Sequence, residues 1–559
     1  MEGDSLDYVD SINALFMLFC TSLLPLVVIG IGFFYSGLTQ RRASLTMFAL
    51  PLLLTPLIFI DWFIWGYSLC YSSSSNRFIG NLKFAVLRQL RDPEEAFYTA
   101  SRGTILGLNH FLFNGFFKVI CAAITFPGCV AERGRLIPMG VFLFFWSAII
   151  YNPVTYWFWN HSGWLSIELG KLPVLDFAGG TCVHIVSGFT TLAYSYILGP
   201  RNPKLLYNYR NSNTGYAVLG SFFVTCGWMG FIAGCDFKFS SRTLYIIVNT
   251  FLCALTSGIV WSLIDYYFSS IPLDGSVPIE QYGPKSNVVT PYISQTGVQL
   301  NQHLHESKSN FTERRKLSMI SFSSGIMTGL VVITPAGGYI SSATGFWKSF
   351  VFGVIGAILC NLSTRLKYFV RIDDALDIFA IHGVAGIVGS LLTGLFSSNL
   401  YETKGGWVEA NWIQLGYQIL GSVVASSYVF ILTCVLLYII DLIPGLHLRI
   451  DKDFNRRARE KQSDPKIDAE SQLSPTNVSN IGSEISYYEK AELMGTDSYE
   501  FNGEYMLDFM EFIRVISPND FADDDLIIPE EYHAHYDNVQ AQGSDFEMHS
   551  EAANLTKRE

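Results

Sequence analysis

The segment Asp176-Phe-Ala-Gly-Gly-Thr-Cys-Val-His184 places an acid and an imidazole inside an apolar, glycine-rich stretch long enough to cross a bilayer. A second stretch, Asp377-Ile-Phe-Ala-Ile-His382-Gly-Val-Ala-Gly386, repeats the theme. Ionisable side chains are costly in lipid, and those found there face a path, a partner or a substrate. Imidazole donates and accepts at once and titrates near neutrality. Two neighbouring rings can share one proton and pass another. The chemistry this implies is the handling of a substrate that gains or loses protons. A lone core histidine is more often structural, but duplication across two halves of a chain favours function.

The surrounding residues carry weaker signals. Asp176 opens its helix, where an acid is favoured by the helix dipole. It reads as a cap that also holds local carbonyls toward a cation, and Asp377 reads likewise. Gly179, Gly180, Gly383 and Gly386 permit close helix contact. Trp157, Trp159 and Trp164 cluster at a span end. Aromatic belts explain most tryptophans at that depth, the alternative being a cation–π platform at a pore mouth. Phe113, Phe116, Phe117 and Phe231 read as core packing by default.

The elements that must position these groups are membrane spans. Half of the 559 residues are hydrophobic and only 15% are charged, against about 25% in a soluble chain. Runs near the ~20 residues that cross a bilayer fall at 12–35, 45–70, 105–131, 136–158, 176–199, 214–235, 242–268, 317–341, 346–366, 376–398 and 414–444. The reading is an all-α membrane protein of eleven spans. Five spans ending in the His184 helix are followed by five ending in the His382 helix. An odd number per half makes the halves an inverted repeat meeting at a midplane site, with one extra helix. Arg41/Arg42, Arg133/Arg135, Arg201/Lys204/Arg210, Arg314/Arg315/Lys316 and Arg365/Lys367/Arg371 fall on alternate loops. The positive-inside rule then puts the N-terminus outside and the C-terminus inside. The 71–104 loop is a basic exception, as longer loops can be. Acidic residues precede the first run with no basic region, so it reads as a true span rather than a cleaved leader.

Residues 1–449 form the membrane domain, with a polar insertion at about 270–316, and residues 450–559 form a cytoplasmic tail. From residue 451 onward there are 25 acids and 10 bases, so the net charge of −11 belongs to the tail and signals no nucleic-acid partner. The tail is linker-like over 461–488 and apolar enough at 492–505 to dock. The ten cysteines are scattered, most in apolar runs, without metal spacing. No nucleotide loop, metal cluster or nucleophile–base set appears, so the chain reads as no enzyme and needs no cofactor. Asn160-His161-Ser162 fits a glycosylation sequon but sits tight against the vestibule and reads as unmodified. Asn310, Asn477 and Asn554 fit the pattern on the cytoplasmic side.

In order along the chain, FIGNLKFAVLR (78–88), AERGRL (131–136), YWFWNHSGWL (156–165), DFAGGTCVHI (176–185), GWMGFIAG (227–234), ITPAGGY (333–339) and DIFAIHGVAGIVGSLLTGLF (377–396) resemble the ammonium transporter family (Amt/Mep/Rh), in its fungal Mep-type branch. IPGLHLR (443–449) leads into the tail. The resemblance implies an ammonium permease, with methylammonium as substrate analogue, in the plasma membrane of a fungal cell. It implies a homotrimer with one pore per subunit. It makes His184 and His382 the twin pore histidines, Phe231 one gate phenylalanine and Phe117 the other. It makes Trp159 the vestibule tryptophan, Asp176 the acid below it, and Cys235 the stand-in for a vestibule serine. It assigns 492–505 to regulatory contacts.

The chain departs from that pattern in four places, one of them Cys235, a weaker hydrogen-bond partner than serine. Placing Phe117 at the gate needs a one-residue shift relative to AERGRL, without which Lys118 falls there and opposes a cation. Ile232 stands where asparagine is usual, and the tail is interrupted at about 453–488. These motivate a rival reading, an ammonium sensor of the same fold with weak or no transport. A gas or amine channel of the Rh branch is a further one, which the fungal-type motifs argue against.

Overall fold

The computed structural model describes residues 8–74, 76–90, 97–99, 103–206, 209–268, 317–342, 345–400, 403–451 and 487–500. The insertion read at 270–316, the linker read at 461–488 up to residue 486, the tail beyond 500 and the sequons at Asn310, Asn477 and Asn554 lie outside them.

Among the described residues, ten helices are long and apolar enough to cross a bilayer. They are α1 (Ser11–Leu38), α2 (Arg41–Tyr71), α3 (Gly107–Val130), α4 (Leu136–Trp159), α5 (Gly180–Leu198), α6 (Thr214–Gly234), α7 (Ser241–Phe268), α9 (Phe346–Val370), α10 (Phe379–Phe396) and α11 (Ile413–Asp441). The helix between α7 and α9, α8 (Met319–Ile333), has 15 residues. At 1.5 Å per residue it falls short of a bilayer's ~30 Å core. The sequence pattern ran this span on to 341. Buried turns over 334–341 complete the depth instead. Irregular backbone is tolerated at such depth only inside protein. One short antiparallel pair, Phe97–Thr99 with Gly103–Ile105, makes the only strands among the described residues.

The pairs of helices that the inverted repeat makes equivalent pack against each other head to tail. Helices α1 and α6 touch backbone to backbone, from Gly37 beside Ala217 at one end to Gly230 beside Cys20 at the other. Helices α5 and α10 cross where Gly188 meets Gly383. A Cβ at Gly188 would sit 2.2 Å from the Gly383 nitrogen, so a larger residue would push the two histidine helices apart. The outward faces carry exposed Leu52, Leu53, Leu57, Ile60 and Phe63, as expected where lipid tails are the solvent.

At the end of the bundle that carries the basic loops, Arg201 pairs with both Glu132 and Asp373, and buried Arg133 donates to the Asp373 carbonyl. Two tail helices, α12 (Tyr487–Met494) and α13 (Thr496–Glu500), dock on this end. Asp497 accepts from the Leu45 and Thr46 amides at 3.0 and 2.7 Å and so ties the tail to the second turn of α2. Glu500 accepts from the Leu136 amide at 3.0 Å, capping α4. Acids there oppose the positive end of each helix dipole. Glu492 pairs with Arg449.

Candidate functional site

The site begins at the end of the bundle opposite the basic loops. A cavity of about 50 Å³ is lined by Trp159, Asp176, Cys235, Phe113, Asn114 and Phe117, among others. That is room for an ammonium-sized ion and a few waters. The Trp159 indole donates to the Asp176 carbonyl at 2.9 Å, which fixes its ring over the floor of the cavity.

Both oxygens of the Asp176 carboxylate are engaged by backbone amides. One oxygen accepts from the amides of Gly179 and Gly180 at 2.9 and 2.6 Å, and the other from Thr181 and Cys182 at 2.9 and 3.2 Å. A helix leaves four amides unsatisfied at its start, and here one side chain takes four. Gly179 enables this by adopting φ +104°, where a side chain would be strained. Asp176 is thus the cap of α5, and it shapes the cavity through its carbonyl and Trp159. Cys235 closes α6, its thiol donating to the Phe231 carbonyl at 3.3 Å.

The floor is a pair of rings. Phe117 on α3 stacks on Phe231 on α6 with centroids 4.1 Å apart and planes within 8°. Trp159 meets Phe117 edge-on at 5.8 Å, and Phe113 packs at 4.8 Å. Both stacked rings are buried.

Beyond Phe231 lies Trp228 at 4.6 Å, then His184, stacked under Trp228 at 5.5 Å and 13°. The Nδ1 atoms of His184 and His382 are 3.2 Å apart, and His382 Nε2 lies 3.3 Å from the Tyr35 hydroxyl. An Nδ1–Nδ1 hydrogen bond needs a proton on one ring and a lone pair on the other. If His382 donates, its Nε2 accepts from Tyr35 and His184 Nε2 carries a free N–H. If His184 donates, His382 Nε2 donates to Tyr35 and His184 Nε2 presents a lone pair. His184 Nε2 is buried without a partner, so either form leaves it open to a passing molecule. Each histidine sits in a π-helical turn, Gly180–Ile185 and Phe379–Val384, a distortion common at functional sites.

The second half corrects one expectation. Asp377 does not cap α10. The Phe379 amide donates to Asp374 at 2.7 Å, while Asp377 pairs with Lys367. Burial and the neighbouring Asp377 push the Asp374 carboxyl up to about 6. The sequence reading missed Asp374 because the cap stands eight residues before both histidines, and Asp377 stands only five before His382.

Lys118 is fully buried and turned away from the ring pair. It donates to Asp61 on α2 and, at 3.0 Å, to Asn152 Oδ1 on α4. Lys118 therefore lies off the ring pair, and Phe117 is the residue that stacks on Phe231. Ile232 is buried against Gly337. Asn160 Nδ2 is buried and donates to the Cys70 and Ser72 carbonyls, which leaves no room for a glycan. Tyr35, Trp228 and Asp61 were not singled out in the sequence, where each looks like an ordinary span residue.

Fold and site together define a polytopic membrane protein in which a cavity, a stacked ring pair and a pair of imidazoles lie one beyond another. A model of the Ammonium Transporter Family matches residues 15–272 and 282–459. Ammonium transporter 1 of Schizosaccharomyces pombe is 36% identical over 442 residues, 78% of this chain and 77% of that one. The crystal structure of Saccharomyces cerevisiae Mep2 matches with a TM-score of 0.65 at 32% identity, covering 80% of this chain and 89% of the other. That of Candida albicans Mep2 matches with a TM-score of 0.65 at 30% identity, covering 82% and 92%. The chain belongs to the ammonium transporter family.

Proposed function

We propose that the protein takes up ammonium across the plasma membrane by deprotonating it in the cavity and passing ammonia along the histidine pair. Ammonium and potassium match in charge and nearly in size, so a cation hole would not separate them. A dry constriction would, because only ammonium has a neutral form. The carrying observation is the close stack of Phe117 on Phe231 with the His184–His382 pair beyond it. Trp159 holds the cation over the floor by cation–π attraction. Loss of its hydration shell on entering lowers the cost of giving up the proton. Cavity water takes the proton and ammonia passes His184 Nε2; a proton entering at His184 Nε2 sends the His184 Nδ1 proton to His382, the His382 Nε2 proton to Tyr35 and the Tyr35 proton onward, which converts one tautomer set into the other.

The basic loops favour an inward placement of their end, so the cavity faces outward and the tail inward. The tail helices that dock on α2 and α4 are regulatory in this reading, and three copies of the chain form a homotrimer with one path each. Lys118 is turned to Asp61 and Ile232 away from the path, which supports transport over the alternative of a sensor with weak or no transport. Radiolabelled methylammonium uptake in cells lacking their own ammonium transporters tests the proposal. Saturable uptake is expected. Protein at the cell surface without uptake would favour the sensor.

A further inference from the structure

Lys118 and Asp61 form a charged pair inside the span layer, one residue from the constriction. Lys118 is wholly buried and the Asp61 side chain is 11% exposed. The same Asp61 oxygen accepts from Ser147 Oγ at 2.5 Å and the other from the Trp65 indole at 2.7 Å. The ammonium of Lys118 also lies 5.3 Å from the Trp62 ring and 5.4 Å from the Tyr151 ring. One knot of polar groups thus ties α2, α3 and α4 together.

The backbone is arranged around it. Helices α2 and α4 both turn π-helical here, at Trp62–Gly66 and Ser147–Tyr151, directly after Asp61 and starting at Ser147. A Cβ at Gly66 would sit 2.9 Å from Lys118 Nζ and 3.1 Å from Asp61 Oδ2, so glycine makes space for the pair.

A buried ion pair is poor evidence for stability, since apolar residues of like volume often do as well. Its better-attested use is to fix one register among several. Around Lys118, helix α3 carries Phe116, Phe117, Val119, Ile120 and Ala122, with Asn114 bonded to Tyr71 on α2 and Cys121 beside Ser187 on α5; Lys118 adds the charged contact to those that hold its rotation. Successive helix residues point ~100° apart. Fixing Lys118 toward Asp61 therefore fixes where Phe117 points.

We propose that Lys118 and Asp61 are positioning residues that set the rotation of α3 and so seat Phe117 on Phe231. The proposal rests on the Phe117–Phe231 pair being the selective constriction. Lys118 acts through its neighbour and touches no substrate.

The test compares full-length wild type with Lys118→Met, Asp61→Asn, the exchange Lys118→Asp/Asp61→Lys, and the apolar pair Lys118→Met/Asp61→Leu. Surface abundance, methylammonium uptake per surface copy and potassium current in proteoliposomes are measured for each. Single variants are expected to lose uptake at least ten-fold or to pass potassium, and the exchange to recover a substantial part. If the single variants stay off the surface, the apolar pair decides, since it buries no lone charge. It should reach the surface yet show the same loss of potassium rejection or uptake. Wild-type uptake and potassium rejection in the apolar pair, or in surface-expressed single variants, would overturn the proposal. Higher uptake in Lys118→Met would also overturn it, since Lys118 would then be a barrier in the path. If the wild type moves no methylammonium, the transport reading falls by itself. The pair is then judged on potassium current, and its absence from every variant overturns the positioning role.

Discussion

Phe117 and Phe231 face each other at 4.1 Å, with planes within 8°, and come from spans on opposite halves of the repeat. Neither ring is accessible, so nothing larger than a transient gap crosses between them at rest. Phe231→Ala would remove a fully buried ring, at a cost of ~3–5 kcal/mol in a packed core, and let water into the gap. Potassium should then compete with methylammonium uptake, as it should not in the wild type. Phe231→Leu should keep potassium out, because the segment stays dry. Uptake by Phe231→Ala that remains insensitive to excess potassium would count against the stack as the selective element.

The Tyr35 hydroxyl and His382 Nε2 are 3.3 Å apart, and the tautomer set of the pair depends on that contact. Tyr35→Phe removes one hydrogen bond, worth ~0.5–1.5 kcal/mol, so uptake should fall roughly 2- to 10-fold. His382→Leu removes the relay itself, and ammonium-driven current should vanish. Solid-supported membrane electrophysiology distinguishes the two. Equal currents in Tyr35→Phe and wild type would mean that the hydroxyl plays no part in proton transfer.

Asp176 tests cap against ligand. Its oxygens are both taken by amides of the His184 helix. Asp176→Asn leaves two of those amides facing a donor, and about 1–2 kcal/mol of helix stability should go, by the scale of cap losses. Melting in detergent should fall while the KM of the surviving transporter changes little. A large KM change at unchanged melting temperature would make the carboxylate a direct cation site.

These three sites differ in how legible they were. The histidines and Asp176 stand out because polar residues inside apolar spans are rare, and local spacing reports the cap. Phe231 and Phe117 were placed only through family resemblance, because a phenylalanine in a span has no local signature. Which of Phe117 and Lys118 meets the path was open, since the answer depends on Asp61, 57 residues away on another span. Tyr35 reaches His382 across 347 residues, a contact that no window of sequence contains. The shortened α8 read as a full span because its buried turn residues are as apolar as a helix would be.

The basic loops carry a pH-dependent element. Burial alone would push the Asp373 carboxyl up, but Arg133 and Arg201 outweigh it and hold the group well below the usual carboxylate range. A depressed acid contributes stability above its free value of ~3.9, and that contribution is lost as pH falls toward the folded value. Asp373→Asn leaves Arg133 and Arg201 short of a partner and should cost about 3 kcal/mol near neutral pH, the scale of a broken buried pair. Below about pH 4 the melting temperatures of variant and wild type should converge. A constant gap across that window would show that the pairing contributes nothing.

The tail meets α2 through Asp497, whose oxygens take the Leu45 and Thr46 amides and the Thr46 hydroxyl. Asp497→Ala removes three hydrogen bonds between the tail and α2 and should weaken docking by about 1–3 kcal/mol, the scale of hydrogen bonds to a charged group. The direct consequence is exposure of the α12–α13 segment, and limited proteolysis should cut near 487–500 faster than in the wild type. A second consequence tests regulation. Helix α2 runs from the Asp497 contact to Asp61, so a loosened contact acts on the helix that holds Lys118. Uptake per surface copy should fall several-fold in Asp497→Ala, whereas Ser498→Ala, at the half-buried neighbouring position, should leave it unchanged. Faster cleavage with wild-type uptake would separate docking from control, making the tail a structural support rather than a regulator.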